Sequence, residues 1–361
     1  MKTMSDIELS GKKVLMRIDT DIEISGELIK EDYRLEKTLP DIEKVLSQAE
    51  KLYLVGHLGR PARHVPMSIG AGVAGGPGEG EREFTLLPVA KKLSQLLGFE
   101  NENFSLWQTP QGFGVFRLSS KLFLLENIRF YKGEETNNAD FAKKLASLAD
   151  VYINDAVATL HRAHASVVGV TKYLPSCFGL LTAREIEKIE KLLSNPNRPF
   201  VVIVGGAKVE DKKPMVNNLV KIADKVLVGG EIANELIDQN YKNEKVILPV
   251  DFVDHGRFDI GLKSTEQFIR EIGQAKTIFW NGSLGKTEDV KYQAGSEQVA
   301  KAIVNNEVAE KIVAGGDTVA FISQLGLYDK FNYVCSGGGA VLELLAGKKL
   351  PGIEAIEKAK N

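Results

Sequence analysis

Arg34, His57, Arg60, Arg129 and Arg162 each follow or flank a short apolar run in the first half of the sequence. Together they have the chemistry of an anion cradle, because guanidinium forks bind phosphate and carboxylate bidentately. A single arginine of this kind reads as surface charge, and a single histidine as a satisfied core residue. Two compact motifs argue against coincidence: His57-Leu58-Gly59-Arg60-Pro61 and His161-Arg162-Ala163-His164. His161 and His164 lack the carboxylate or cysteine company of a metal site, so they read as positioning or structural groups.

The second half offers different chemistry. In Gly205-Gly206-Ala207-Lys208-Val209-Glu210-Asp211-Lys212 the paired glycines let backbone approach a phosphate closely. Lys208 and Lys212 stand four apart and share one face of a helix. Two ammonium groups aimed at one spot repel unless an anion sits between them. The bland alternative is a solvated lysine face; the apolar run and glycines before it favour phosphate. In Gly315-Gly316-Asp317-Thr318, Asp317 can cap a helix or hold Mg²⁺ while helix N–H groups bind phosphate, and the two are compatible.

Two familiar signatures fail their context. Gly70, Gly72 and Gly75 match G-x-G-x-x-G, but Pro66 precedes them and Gly76-Pro77-Gly78 follows, where a strand and a helix are required. Gly285-Lys286-Thr287 resembles the end of a P-loop, yet Trp280 stands where its first glycine belongs.

These groups need rigid supports, and the sequence supplies a repeated one: a short apolar run, a turn, then a helical pattern. In the second half, Val201–Val204, Val226–Val228, Ile278–Trp280, Ile312–Ala314 and Tyr333–Cys335 each lead into or towards a glycine turn. In the first half, Val14–Met16, Leu52–Val55, Leu122–Leu125 and Val151–Ile153 end instead on Arg, His, Asn or Asp chemistry. Such alternation predicts parallel sheets covered by helices, with ligands beyond the carboxyl ends of the strands. Between the halves, Thr182 with Glu185 fits a capping box, Ile186, Ile189, Leu192 and Leu193 recur at helical spacing, and Pro196 stops the helix. Ile69–Gly80, rich in glycine, reads as a flexible surface loop.

At 361 residues the chain is long enough for two cores, and 43% hydrophobic content can fill them. A net charge of −2 argues against a general nucleic-acid binder. No apolar run of about 18 residues predicts a membrane span. The N-terminal segment lacks a signal-peptide core, and Cys177 and Cys335 read as unpaired thiols. The cytoplasm is the expected compartment.

At this point the residues resemble a family. His57-Leu58-Gly59-Arg60-Pro61, Glu126-Asn127-Ile128-Arg129-Phe130, Asn154-Asp155-Ala156, His161-Arg162-Ala163-His164-Ala165-Ser166, Gly205–Lys208, Trp280-Asn281-Gly282, Gly316-Asp317-Thr318 and Ser336-Gly337-Gly338-Gly339-Ala340 look like phosphoglycerate kinase, in that family's order and over nearly the whole chain.

The resemblance implies an α/β fold: two Rossmann-like three-layer αβα lobes with parallel sheets, joined by a hinge helix. The N-lobe would be 1–175, with 345–361 packing back on it, the connecting helix 176–195, and the nucleotide lobe 196–344. It implies reversible transfer between 1,3-bisphosphoglycerate and MgADP, giving 3-phosphoglycerate and MgATP, in a monomer of glycolysis without nucleic-acid or membrane partners. Asp19, Asp21, Arg34, His57, Arg60, Arg129 and Arg162 would form the acid site. Gly206, Ala207, Lys208, Lys212, Gly230, Asn281, Glu288, Gly315, Gly316, Asp317 and Thr318 would form the nucleotide site, with Glu288 on ribose hydroxyls and Asp317 on Mg²⁺. Arg34, Lys208, Lys212 and Gly316 would be the catalytic groups. The chemistry agrees: phosphoryl transfer needs positioning and charge neutralisation more than a covalent nucleophile.

The chain departs from the family at several places. Thr20-Asp21-Ile22-Glu23 stands where Phe-Asn-Val-Pro is usual, so an amide has become the carboxylate Asp21, which cannot donate when ionised and repels an anion. Val157-Ala158 replace Phe-Gly, Ser283 replaces a proline, Lys286-Thr287 replace an apolar pair, and the pocket near Val228 and Glu231 is altered. The segment 236–259 is shortened and 69–80 looks inserted. These changes also fit a nucleotide-binding relative with reduced or altered acid activity.

Overall fold

In the computed structural model, the residues described are 1–26, 28–30, 32–61, 83–99, 104–207 and 209–359. The glycine-rich segment 69–80 and Lys208 lie outside them. The chain divides into two compact units, Met1–Ile186 with Leu350–Asn361, and Glu187–Lys349.

The first unit is built on a seven-stranded sheet. Its strands are β1 (Lys13–Ile18), β4 (Lys51–Val55), β5 (Leu106–Gln108), β6 (Gly114–Arg117), β7 (Leu122–Leu125), β8 (Val151–Asp155) and β9 (Ser176–Phe178); a separate hairpin is β2 (Ile24–Ser25) with β3 (Leu28–Ile29). The order is β5-β6-β7-β4-β1-β8-β9. From β7 to β9 the pairing is parallel. The edge pairs β5–β6 and β6–β7 are antiparallel, a departure from the all-parallel expectation. Strand alternation sends Val14, Met16 and Ile18 into one core and Leu15 into another with Val55 and Tyr152. Arg17 shares the face of Leu15, so the same alternation carries a guanidinium inside.

The second unit has a six-stranded, wholly parallel sheet: β10 (Phe200–Val204), β11 (Lys225–Val228), β12 (Val246–Ile247), β13 (Thr277–Asn281), β14 (Glu310–Ala314) and β15 (Tyr333–Val334). The order is β12-β11-β10-β13-β14-β15, a doubly wound sheet whose strand order reverses between β10 and β13. All five apolar runs lie on strands here, Tyr333–Cys335 in its first two residues, because the central positions of strands covered on both faces are apolar.

The connecting helix is Leu180–Ser194, shorter at its start than expected, because residues 176–178 form β9. The capping box does not form. Thr182 and Glu185 are buried within the helix. The free N–H groups of Leu180 and Leu181 donate instead to Asp41 Oδ2, and that of Thr182 to Asp155 Oδ1 at 3.0 Å. Carboxylates brought from 27 or more residues away replace the local cap. After the second unit the helix Pro351–Glu357 belongs to the first, where Gly352 N–H donates to Leu160 O at 2.9 Å. No helix among the described residues is long and apolar enough to cross a membrane.

Candidate active site

In the first unit the groups follow the carboxyl ends of three adjacent strands. β1 leads to Asp19 and Asp21, β4 to Gly56-His57-Leu58-Gly59, and β7 to Glu126-Asn127-Ile128-Arg129. The β4 loop is pinned: Thr20 Oγ1 donates to His57 O (2.7 Å), Asn127 Nδ2 to Leu58 O (2.7 Å), and Arg129 to Gly59 O.

His57 is 3% exposed. Its Nδ1 lies 2.8 Å from Arg17 NH2. Arginine can only donate, so Nδ1 accepts and Nε2 carries the hydrogen. Burial, reinforced by Arg17 and Arg129, pushes the imidazole down to about 3 against the support of Asp21. His57 is therefore a neutral N–H donor at pH 7 rather than a base. Arg17 itself is held by Ser166 Oγ (3.1 Å) and the carbonyls of Ile18 (2.8 Å) and Val55 (3.0 Å). Ser166 donates in turn to Glu134, a buried carboxyl raised by desolvation.

Arg34 NH1 donates to Asp19 Oδ2 (3.2 Å) and Asp21 O (3.1 Å). Burial pulls Arg34 down, but Asp19 and Tyr33 outweigh it and hold it above the usual value. Asp19 is raised by burial, which Arg34 only partly offsets. Arg129 is 3% exposed, and burial followed by repulsion from Arg162 pushes it down to about 10. Among the described residues, its buried Nε and NH2, like the buried Nε of Arg162, have no hydrogen-bond partner; Glu135 is 3.5 Å from Arg129 Nε. Burial, Arg129 and Arg162 also push His164 down to about 4. Two arginines repelling each other with donors unsatisfied form a site that an anion would complete. Arg60 is exposed and makes no hydrogen bond or ion pair among the described residues.

In the second unit the glycine turns interlock at the reversal of strand order. Gly205 N–H donates to Asn281 O (2.9 Å) and Gly206 N–H to Ser283 O (2.7 Å). A Cβ on Gly205 would sit 2.0 Å from Ser283 O, and one on Gly282 2.1 Å from Gly205 O, so both must be glycine. Lys212, buried in the first turns of the helix Val209–Ile222, donates from Nζ to Gly205 O. Gly230 N–H donates to Leu284 O (2.9 Å), which ties the turn after β11 to the same place.

Trp280 Nε1 donates to Gly282 O (2.8 Å) and Asn281 Nδ2 to Ala314 O (3.0 Å), leaving the buried Asn281 Oδ1 without a partner among the described residues. Thr318 Oγ1 accepts from Gly282 N–H (2.8 Å), which links the β13 turn to the helix Gly316–Gln324. Gly315 precedes that helix with φ +98° and provides no side-chain cap, so its first amides are open to an anion. Asp317 is exposed on the first turn, and no cluster of three potential metal ligands occurs among the described residues. A single carboxylate suits a Mg²⁺ held mainly by phosphate oxygens and water. Ala207 and Glu288 are exposed, and Glu288 makes no hydrogen bond among the described residues.

Contacts thus join Asp19, Asp21, Arg34, His57 and Arg129 in one unit, and Gly206, Lys212, Gly230, Asn281, Gly315 and Thr318 in the other. Arg17, Asn127, Ser166 and Glu134, to which the sequence assigns no site role of their own, support this cradle. A charged residue inside the apolar run Lys13–Ile18 was the available signal for Arg17.

A family profile described as phosphoglycerate kinase matches residues 4–245 and 235–348. A phosphoglycerate kinase of Dictyoglomus turgidum is 38% identical, covering 98% of both chains, and one of Thermosipho africanus 37%, covering 99% of this chain and 98% of its own. The solved phosphoglycerate kinase of Coxiella burnetii is 33% identical, superimposes with a TM-score of 0.81 and covers 99% of each chain. With interlocked glycine turns on one unit and a basic cradle on the other, the chain belongs to the phosphoglycerate kinase family.

Proposed function

We infer that the chain catalyses reversible phosphoryl transfer between 1,3-bisphosphoglycerate and MgADP, giving 3-phosphoglycerate and MgATP. The observation that carries the acid side is the buried Arg129 guanidinium, whose Nε and NH2 lack hydrogen-bond partners among the described residues and which lies beside the like-charged Arg162. With Arg34, His57 and Arg60, these arginines would hold the acid's phosphate and carboxylate. The Gly205-Gly206 and Gly315-Gly316 turns would carry the nucleotide phosphates, with Lys212 and, by sequence position, Lys208 on the transferred group. Glu288 would reach the ribose hydroxyls. Asp317 would hold Mg²⁺, which would neutralise charge on the nucleotide phosphates.

In the forward direction an ADP β-phosphate oxygen attacks phosphorus and the bond from phosphorus to the carboxylate oxygen breaks. The carboxylate leaves as an anion and no proton is taken up, so a neutral His57 serves as a donor and no general base is needed. Arg34 would stabilise the moving phosphoryl group. In-line transfer requires acid and nucleotide to meet with water excluded.

The test is an initial-rate assay with 3-phosphoglycerate and MgATP coupled to consumption of the acyl phosphate. Turnover that falls at least tenfold in Lys212→Ala supports the reading. No turnover above that variant would overturn it.

A further inference from the structure

In the acid cradle one carboxylate faces the donors rather than the solvent. Asp21 Oδ1 accepts from Gly59 N–H at 2.9 Å, and Oδ2 lies 3.5 Å from His57 Nε2. Nε2 is the ring nitrogen that carries the hydrogen, and among the described residues it has no closer partner although His57 is 3% exposed. The other groups around Asp21 are Arg129, whose NH1 donates to Gly59 O, Arg34 on the Asp21 carbonyl, Asp19 accepting the Asp21 N–H, and Arg17 behind His57. Burial raises the Asp21 carboxyl, but His57, the Gly59 amide and Arg129 together hold it well below the usual carboxylate range. His57 is neutral at pH 7, so its part there is that of a dipole.

We propose that Asp21 is a resident anion of the acid site: its carboxylate engages the Gly59 amide and faces the His57 Nε2–H, so an incoming acid gains those donors only by displacing it. The proposal rests on the reading of this cradle as the acid site. Asp21 is 40% exposed at its side chain, so it has room to leave. It also partly offsets the positive charge of Arg129 while no substrate is bound. The consequence is a specificity filter. An acid with enough negative charge to satisfy both arginines displaces Asp21, whereas a weakly charged acid does not. Like charges forced together in a cradle cost affinity, and the partial exposure of Asp21 limits that cost to about tenfold.

The probe is inorganic phosphate, followed through the amide resonance of Gly59, which reports on this cradle alone. Wild type, Asp21→Asn and Asp21→Ala are titrated in parallel, and MgADP affinity of each variant checks that the chain is folded. We expect both substitutions to tighten phosphate about tenfold with MgADP affinity unchanged. Equal or weaker phosphate binding in Asp21→Asn overturns the proposal, since it would make Asp21 a ligand for the substrate or a bystander. A parallel titration with 3-phosphoglycerate separates the two readings. If phosphate tightens but 3-phosphoglycerate binds no variant, the resident anion stands and the assignment of the acid falls.

Discussion

Acidification should weaken the first unit through His57 in particular. Its imidazole has an ordinary value of 6.5 and is pushed down to about 3 in the folded chain, by burial first and by Arg17 and Arg129 after it. The unfolded chain therefore binds a proton that the folded chain refuses. The stability this group contributes is fully present above 6.5 and is lost as pH falls from 6.5 towards 3. At about pH 4 the linkage amounts to about 3 kcal/mol, a large share of the roughly 5–15 kcal/mol that holds a domain folded. The window is separable from that of Asp21, whose depressed carboxyl costs stability only below the ordinary carboxylate range. His164 titrates in the same direction, so the comparison must be with a variant. Amide hydrogen exchange of Leu52 and Leu54 in β4 is measured between about pH 7 and about pH 4 in wild type and in His57→Gln, where an amide oxygen can still accept from Arg17. The account predicts that the variant loses about 3 kcal/mol less opening free energy over that range. An identical loss in both would refute the reasoning.

Arg129→Met removes the buried guanidinium and should weaken 3-phosphoglycerate by about 2–5 kcal/mol in calorimetry, with MgADP affinity unchanged. Gly282→Ala places a Cβ 2.1 Å from Gly205 O at φ +90°, so it should abolish MgADP binding and leave phosphate binding at the Gly59 amide intact. Asp41→Ala strips the acceptor from Leu180 and Leu181 and should cost about 1–3 kcal/mol in thermal unfolding; an unchanged midpoint would show that water caps the helix equally well.

Much of this architecture is legible in the sequence because its central strands are buried on both faces. Runs such as Val201–Val204 and Leu122–Leu125 have no polar alternation and admit few readings. The edge strands escape for the opposite reason. Leu106–Gln108 contains Trp107, 63% exposed, and lies on the rim, where a short antiparallel strand needs no apolar run. Ser176–Phe178 is three residues long and abuts a helix, so its pattern merges with the helical one.

The site divides similarly. Glycine turns and arginine motifs declare their chemistry locally, since a backbone that must approach another backbone admits only glycine. Partners do not declare themselves: Arg17 meets His57 across 40 positions and Asp21 meets Gly59 across 38. The sequence marks Asp21 as a misplaced charge, but only the fold supplies the amide and imidazole that hold it. The start of the helix Leu180–Ser194 is read wrongly for the same reason, because its caps come from Asp41 and Asp155 rather than from Thr182.

The central claim is that the terminal phosphoryl group of ATP passes to the carboxylate of 3-phosphoglycerate on this chain. The direct measurement is a hydroxylamine trap: the protein is incubated with MgATP and 3-phosphoglycerate, the acyl phosphate is captured as its hydroxamate, and the product is read by mass spectrometry. The account predicts hydroxamate formed in step with ADP and dependent on both substrates. ADP released without hydroxamate, or no ADP at all while both ligands bind, would contradict it.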